Sequence, residues 1–327
     1  MILSLCSRMK PPYKITTSIL NLVSSISEKL GEVKSAHLNQ LPITLRKRNR
    51  VKTIQASLEI EGNTLTVEQI TDLINHKRVI APQKDILEVK NAIEVYSRLD
   101  EFNVFRLESL GKAHKILMRD LVQNPGQFRQ MPVGILKGDH VSHVEPPGSR
   151  VYTLLKNLFD YLKNDKDLLL IKSCVFHYEF EFIHPFEDGN GRMGRLWQTL
   201  ILKEVSPVFE FLPIEAFIKE RQQTYYNALG QSDSEGESTA FIEFMLQVIH
   251  DSLEDLLKTQ NVSLKNSDRI SLFREIIKED FFTRQDYLRH FKNISPATAS
   301  RDLKDAVVQG WLEKVGDKRL TKYWFRE

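Results

Sequence analysis

The sequence predicts a mainly α-helical body with a small inserted β-hairpin, followed by a C-terminal unit of three helices and a short two-stranded wing. Three observations carry this. Apolar residues recur at steps of three and four along most of the chain. Alternation of period two is rare before residue 310. A polar stretch, Lys258 to Asp268, then separates the periodic body from an end of different character.

The elements follow in order. Ile19, Val23, Ile26 and Leu30 place one helical face, and Ile86, Val89, Ile93 and Tyr96 repeat it. Leu107, Leu110, Leu117 and Leu121 mark another helix, and Val151, Leu154, Leu155, Leu158 and Leu162 the next. Between these two, Val133, Ile135, Val141 and Val144 allow short strands, with Lys137-Gly138-Asp139 as the turn. Ile171, Cys174, Tyr178 and Phe182 give a helix before a glycine-rich loop, and Leu196, Leu200 and Val205 one after it. Phe241 to Leu253 closes the body. Beyond the linker two short helices precede Ser295-Pro296, an N-cap with proline at the first helical position, which opens a third. Trp311 to Val315, a Gly316-Asp317 turn and Tyr323 to Phe325 form the wing, the outline of a winged helix-turn-helix. The resulting division is an N-terminal helical region over 1–105 with a helix near 50–62, a body over 106–257, a linker over 258–268, and a final unit over 269–327.

Composition narrows the function classes. The 327 residues are 41% hydrophobic and 27% charged, which excludes a disordered chain. Lys+Arg 46 against Asp+Glu 43 is too balanced to advertise nucleic acid or membrane by bulk charge. Two cysteines, Cys6 and Cys174, build neither a disulfide framework nor a zinc cluster and fit a reduced cytoplasmic setting. No apolar run approaches the roughly 18 residues of a bilayer span, and the start lacks a charged leader region, so the expectation is a protein without membrane contact.

The chemistry is concentrated in His184-Pro-Phe-Glu-Asp-Gly-Asn-Gly-Arg-Met-Gly-Arg195. Pro185 forces the chain out of helix at His184. Gly189 and Gly191 let the backbone approach a ligand, and a helix opening at about Arg192 turns its free N–H groups toward an anion. Asn190 adds a donor, and Arg192 and Arg195 add two guanidinium forks. Asp188 offers a hard oxygen of the kind Mg²⁺ takes beside phosphates, and His184 an imidazole base, a type whose unperturbed pKa lies near neutrality. Base, metal ligand, phosphate cradle and anion clamps thus fall within one short segment.

This segment resembles the Fic (Fic/Doc) family, whose signature His-x-Phe-x-Asp/Glu-Gly-Asn-Gly-Arg-x-x-Arg it matches at every fixed position. The resemblance extends over about 40–257, with Gly126-Gln-Phe-Arg129 and Glu145-Pro-Pro147 at similar stretches. It implies a Fic-type helical fold and transfer of AMP from ATP to a Ser, Thr or Tyr hydroxyl of a protein, itself or another. By that resemblance His184 deprotonates the hydroxyl and Asp188 holds Mg²⁺ or Mn²⁺. Asn190 and the loop backbone, with Gly189 and Gly191, grip the α- and β-phosphates, Arg192 and Arg195 bind the distal ones, and Phe186 anchors the loop. Removal of AMP, or transfer of another nucleotide moiety, is the alternative on the same loop.

Ser57-Leu-Glu-Ile-Glu-Gly-Asn63 reads by itself as a helix end, with Glu61 in the last turn and Gly62 beyond it. It also resembles the family's inhibitory pattern, Ser/Thr-x-x-x-Glu-Gly/Asn. That implies a Glu61–Arg195 pair filling the space of a productive γ-phosphate; a solvated Glu61 is the plain reading. The same resemblance makes residues 131–147 a flap that aligns the target by strand addition. It places Tyr225-Tyr226 where relatives contact adenine; one of two consecutive helical tyrosines faces the core, leaving Tyr226 as the binding residue. Ser232-Asp233 stands where relatives often carry Asn. In 269–327, Thr298, Ser300, Arg301 and Lys304 on the third helix and Lys318 and Arg319 on the wing suit phosphates or base edges. Thirteen Lys/Arg against ten Asp/Glu over residues 268–327 is modest for DNA, and a protein-docking or homodimer module stays open beside a DNA-binding regulator.

Overall fold

The structure, a computed structural model, describes residues 10–35, 43–131, 134–137, 140–144, 146–260, 266–277, 281–291, 294–317 and 321–326. The expected hairpin turn at Gly138-Asp139, Val133, Glu145, Cys6, and Lys318 and Arg319 of the wing lie outside the described residues. The chain divides into two compact units, one of residues 1–39 and 49–256, the other of 40–48 and 257–327.

The first unit is helical, as the apolar spacing predicts. In chain order its elements are α1 (Thr17–Ser35), α2 (Ile43–Ile60, in this unit from Asn49 on), α3 (Val67–Ile74), α4 (Gln83–Ser97) and α5 (Leu107–Leu117), then the antiparallel pair β1 (Gly134–Lys137) and β2 (His140–Val144). There follow α6 (Gly148–Asn164), α7 (Leu169–Ile183), α8 (Asn190–Val205), α9 (Ile214–Glu220), α10 (Gln222–Glu235) and α11 (Thr239–Gln260). Helix α5 stops before Leu121, whose inclusion in its stripe overran the helix. The helix assigned to 50–62 is longer at its start and ends at Ile60, and α8 opens at Asn190 rather than near Arg192.

Helices α7 and α8 form the centre. Every residue of α7 from Leu170 to Tyr178 is buried, and most of α8 is too. A helix that is apolar on all sides belongs inside a bundle. Cys174 is fully enclosed, and burial pushes its thiol up to about 12, so it is inert packing. The short connection between these two helices is the glycine-rich loop. It therefore hangs from two buried helices packed on each other, the kind of support a precise site requires.

The second unit comprises α12 (Asn266–Ile276), β3 (Phe282–Thr283), α13 (Arg284–His290), α14 (Pro296–Val308), β4 (Leu312–Val315) and β5 (Lys322–Phe325). Its sheet is antiparallel with order β3-β5-β4, three strands where the sequence reading had two. The extra strand is two residues long, too short for alternation to reveal it. Ser295 caps α14 as expected, accepting from the Thr298 N–H at 3.1 Å. Phe273, Phe282, Tyr287, Leu303 and Leu312 share its core, and Arg269 and Asp302 pair inside it at 2.6 Å. Arg301 and Lys304 are exposed on α14. Among the described residues no helix is long and apolar enough to cross a membrane.

Candidate active site

The loop is built around two left-handed residues. His184 ends α7 with φ +48° and ψ 62°, its N–H still donating to Phe180 O at 3.0 Å, and Pro185 prevents the helix from continuing. Gly189 precedes α8 with φ +82°, and a Cβ there would lie 2.7 Å from the Met118 sulfur. Between them the chain folds back on itself. Asn190 takes Phe186 from both sides, accepting from its N–H and donating to its carbonyl, each at 2.9 Å. Phe186 is fully buried and stacks on the His114 ring at 3.6 Å.

His114, on α5, was not singled out in the sequence. Its Nδ1 accepts from Gly126 N–H at 2.7 Å, so Nε2 carries the proton and donates to the Asp188 carbonyl at 3.0 Å. Burial pushes its pKa down to about 4, which keeps the ring neutral. The visible signal was a histidine in line with the apolar stripe of α5.

The loop opens onto a cavity of about 430 Å³. It is lined by His184, Asp188, Gly189, Asn190, Gly191 and Arg195 and by Tyr226 and Asp233 of α10. Tyr225 is nearly fully buried and meets His177 Nε2 at 3.2 Å, so Tyr226 is the more exposed of the two tyrosines. Asp233 accepts from the Tyr178 hydroxyl at 3.0 Å. The Asp188 carboxylate is half-exposed; its Oδ1 accepts from Gly189 N–H at 2.6 Å and from Arg192 at 3.1 Å. One oxygen anchored to the protein beside an exposed carboxylate is a donor set that fits Mg²⁺, which takes few protein ligands and completes its shell from phosphates and water. Another grouping with metal-like spacing, His250, Asp251 and Glu254 on α11, does not line the cavity, and Asp251 is paired with Arg221 at 2.6 Å.

The two arginines part company. Arg192 does not line the cavity: it is buried and donates to Glu88 of α4 at 3.1 Å as well as to Asp188. Its guanidinium is engaged by these two carboxylates and braces Asp188 against α4. Asn190 lines the cavity while its side chain holds Phe186 through one bond at each polar atom. Glu88, absent from the sequence reading, also accepts from Asn63 at 2.8 Å.

Arg195 does reach the cavity, and it is occupied. Its Nη2 donates to Glu61 Oε1 at 2.7 Å and to Ser57 O at 2.9 Å, and its Nε donates to Ser57 Oγ at 3.1 Å. Burial works against the guanidinium charge, but Glu61, Tyr225 and Glu181 together outweigh it and the pKa of Arg195 is raised. The α2 end that delivers Glu61 is a Schellman motif: Gly62, at φ +93°, donates to Glu59 O at 3.0 Å and Asn63 donates to Leu58 O at 3.1 Å. Glu61 is thus the C-cap rather than part of the last turn. A Cβ on Gly191 would lie 2.5 Å from Glu61 Oε1, so the carboxylate rests directly against the first turn of α8. It sits where a helix N-terminus attracts an anion.

A family model described as Fic/DOC family matches residues 104–202. The chain is 25% identical to the protein adenylyltransferase Fic of Nematostella vectensis over 276 residues, 79% of this chain and 61% of that one. It is 31% identical over 153 residues to a probable protein adenylyltransferase of Aquifex aeolicus, covering 45% of this chain and 46% of the other. The chain thus spans about half to three fifths of the length of these two curated relatives. Similarity to the crystal structure of a Fic family protein from Desulfovibrio desulfuricans G20 runs at 38% identity and TM-score 0.75, over 97% of this chain and 98% of that one. Near-complete mutual coverage at that identity, on a chain whose loop carries the full signature, establishes that this protein belongs to the Fic/DOC family.

Proposed function

We propose that the protein transfers AMP from ATP to a protein hydroxyl, and that Glu61 holds the enzyme inactive until displaced. The observation that carries this reading is the seat of the Glu61 carboxylate, bound by Arg195 and set against the N-terminus of α8. A carboxylate there occupies what the loop offers to phosphate oxygens, so the terminal phosphate of ATP and Glu61 compete for one position.

In the reaction His184 takes the proton from an incoming Ser, Thr or Tyr hydroxyl, whose oxygen then attacks the α-phosphorus in line with the departing pyrophosphate. The open N–H groups at the start of α8 and the guanidinium of Arg195 stabilise charge as it grows on the phosphate oxygens. Asp188, with Arg192 and Glu88 fixing its orientation, would hold the divalent cation. When bound, that cation neutralises phosphate charge. No protein nucleophile is needed. Tyr226, which lines the same cavity, supports the nucleotide base. The hairpin β1–β2 supplies an edge for the target segment. Under this reading 106–257 carries the chemistry and the α2 end within 1–105 the brake.

The test is incubation with Mg²⁺ and ATP labelled at the α-phosphate, comparing wild type, Glu61→Gly and Glu61→Gly/His184→Ala. The expected outcome is labelling that rises at least tenfold with Glu61→Gly and vanishes in the double variant while ATP still binds. Label that persists without His184 removes it as the base. Equal labelling of wild type and Glu61→Gly removes the brake.

A further inference from the structure

One buried cation beside the site, Arg129, has no part in the mechanism above. Arg129 is 2% exposed and sits between β1–β2 and the loop. Its Nε donates to the His184 carbonyl at 2.6 Å and its Nη2 to Ile183 O at 3.1 Å. Nη2 also donates to Pro146 O at 2.8 Å, and Nη1 to Met131 O at 3.1 Å. Its backbone N–H donates to Pro185 O at 2.9 Å. One guanidinium therefore reaches Met131, three residues before β1, Pro146, two residues after β2, and both residues at the α7 end.

We propose that Arg129 is a positioning residue that locks the two ends of the β1–β2 hairpin to the backbone of His184, so that a target segment docked on the hairpin meets an imidazole already aimed. The proposal rests on the proposed function for the roles of His184 and the hairpin. Two features support a mechanical role. His184 holds a left-handed backbone, which is unfavourable for a residue with a Cβ and persists only where its surroundings impose it. Arg129 is part of that imposition, through a charge-assisted bond to the His184 carbonyl. The far end of the hairpin is equally tight: a Cβ on Gly148 would lie 2.1 Å from Gln130 O, so the chain leaving the hairpin packs directly on the residue beside Arg129. Only a planar fork meets acceptors spread this way. A lysine ammonium at the same site reaches fewer of these carbonyls from its single nitrogen.

The test compares Arg129→Lys and Arg129→Met, each in the Glu61→Gly background, with that background alone. ATP·Mg²⁺ affinity is measured by calorimetry, single-turnover transfer by α-phosphate label, the His184 ring by nitrogen-15 NMR, and folding by thermal melt. Arg129→Lys is expected to keep ATP affinity within about twofold and to slow transfer by ~30-fold or more, since a misplacement of about 1 Å costs on the order of 100-fold. The His184 ring signals are expected to shift or broaden with it. Transfer at the parent rate, or a rate loss matched by the loss of folded protein with unchanged His184 signals, overturns the proposal. Should both variants fail to fold, hydrogen exchange on the Glu61→Gly protein reads the same coupling. Common opening of the hairpin amides and the His184 amide supports the lock, and a hairpin that opens while His184 stays fully protected overturns it. Absence of label in the Glu61→Gly parent would sink the proposed function, whereas the NMR and exchange results judge Arg129 independently.

Discussion

Two arginines three residues apart in α8 end with different tasks because their acidic partners come from different helices. Arg195 meets Glu61 from the end of α2, and Arg192 meets Glu88 from α4. Both pairs are sheltered, and removing one member of a buried pair leaves the other charge uncompensated. Glu88→Gln is therefore expected to lower unfolding stability by about 3 kcal/mol, read by denaturant melts. Because Arg192 steadies Asp188, the same variant should also raise the Mg²⁺ concentration needed for half-maximal stabilisation of the ATP complex. The buried histidines make a pH prediction. Burial depresses His114 to about 4 and His177 to about 3, against an ordinary 6.5. Below pH 6.5 the unfolded chain takes up protons that the folded one refuses, so stability is lost as pH falls from 6.5 toward the folded values. Melting temperature should drop steeply between pH 6.5 and 4, and His114→Gln should flatten part of that drop. A pH profile identical to wild type would remove His114 as a contributor.

The site's elements are defined by how they end. Helix α2 stops in a Schellman motif whose glycine aims Glu61 across to α8, and α7 stops at a residue in the left-handed region. Helix α8 starts immediately after a glycine that could hardly be anything else. Gly189→Ala combines a positive φ with a Cβ against Met118, whose flexible side chain yields, so a loss of about 1–2 kcal/mol in stability is expected. That loss should come with weakened ATP binding, because the first N–H groups of α8 shift with the loop. In the second unit, Ser295→Ala should cost about 1 kcal/mol by leaving an N–H at the start of α14 without its cap. Hydrogen exchange across 296–308 would register it.

Each of the two compact units contains its own buried apolar residues, which is the physical requirement for a domain. Leu303, fully buried in the second unit, tests this at the scale of the molecule. Leu303→Ala opens a cavity and should cost about 2–5 kcal/mol. Exchange protection should fall across 266–326 and remain unchanged in 184–195. Protection lost equally in both places would show that the chain unfolds as one cooperative body.

The helical class, the loop and its histidine were legible in the sequence, because 3.6-residue periodicity and glycine-proline punctuation are local properties. The capping of α14 by Ser295 and the location of the hairpin were legible for the same reason. What a charged side chain faces is not local. The pairing of Arg192 with Glu88, the support from His114 and the reach of Arg129 to Pro146 and the α7 end depend on residues many positions away in the chain. Their energies arise only when the backbone closes and water is excluded. The sequence determined which chemistry the loop can hold, and the packing of α2, α4 and α5 around it decided which of its groups face the cavity.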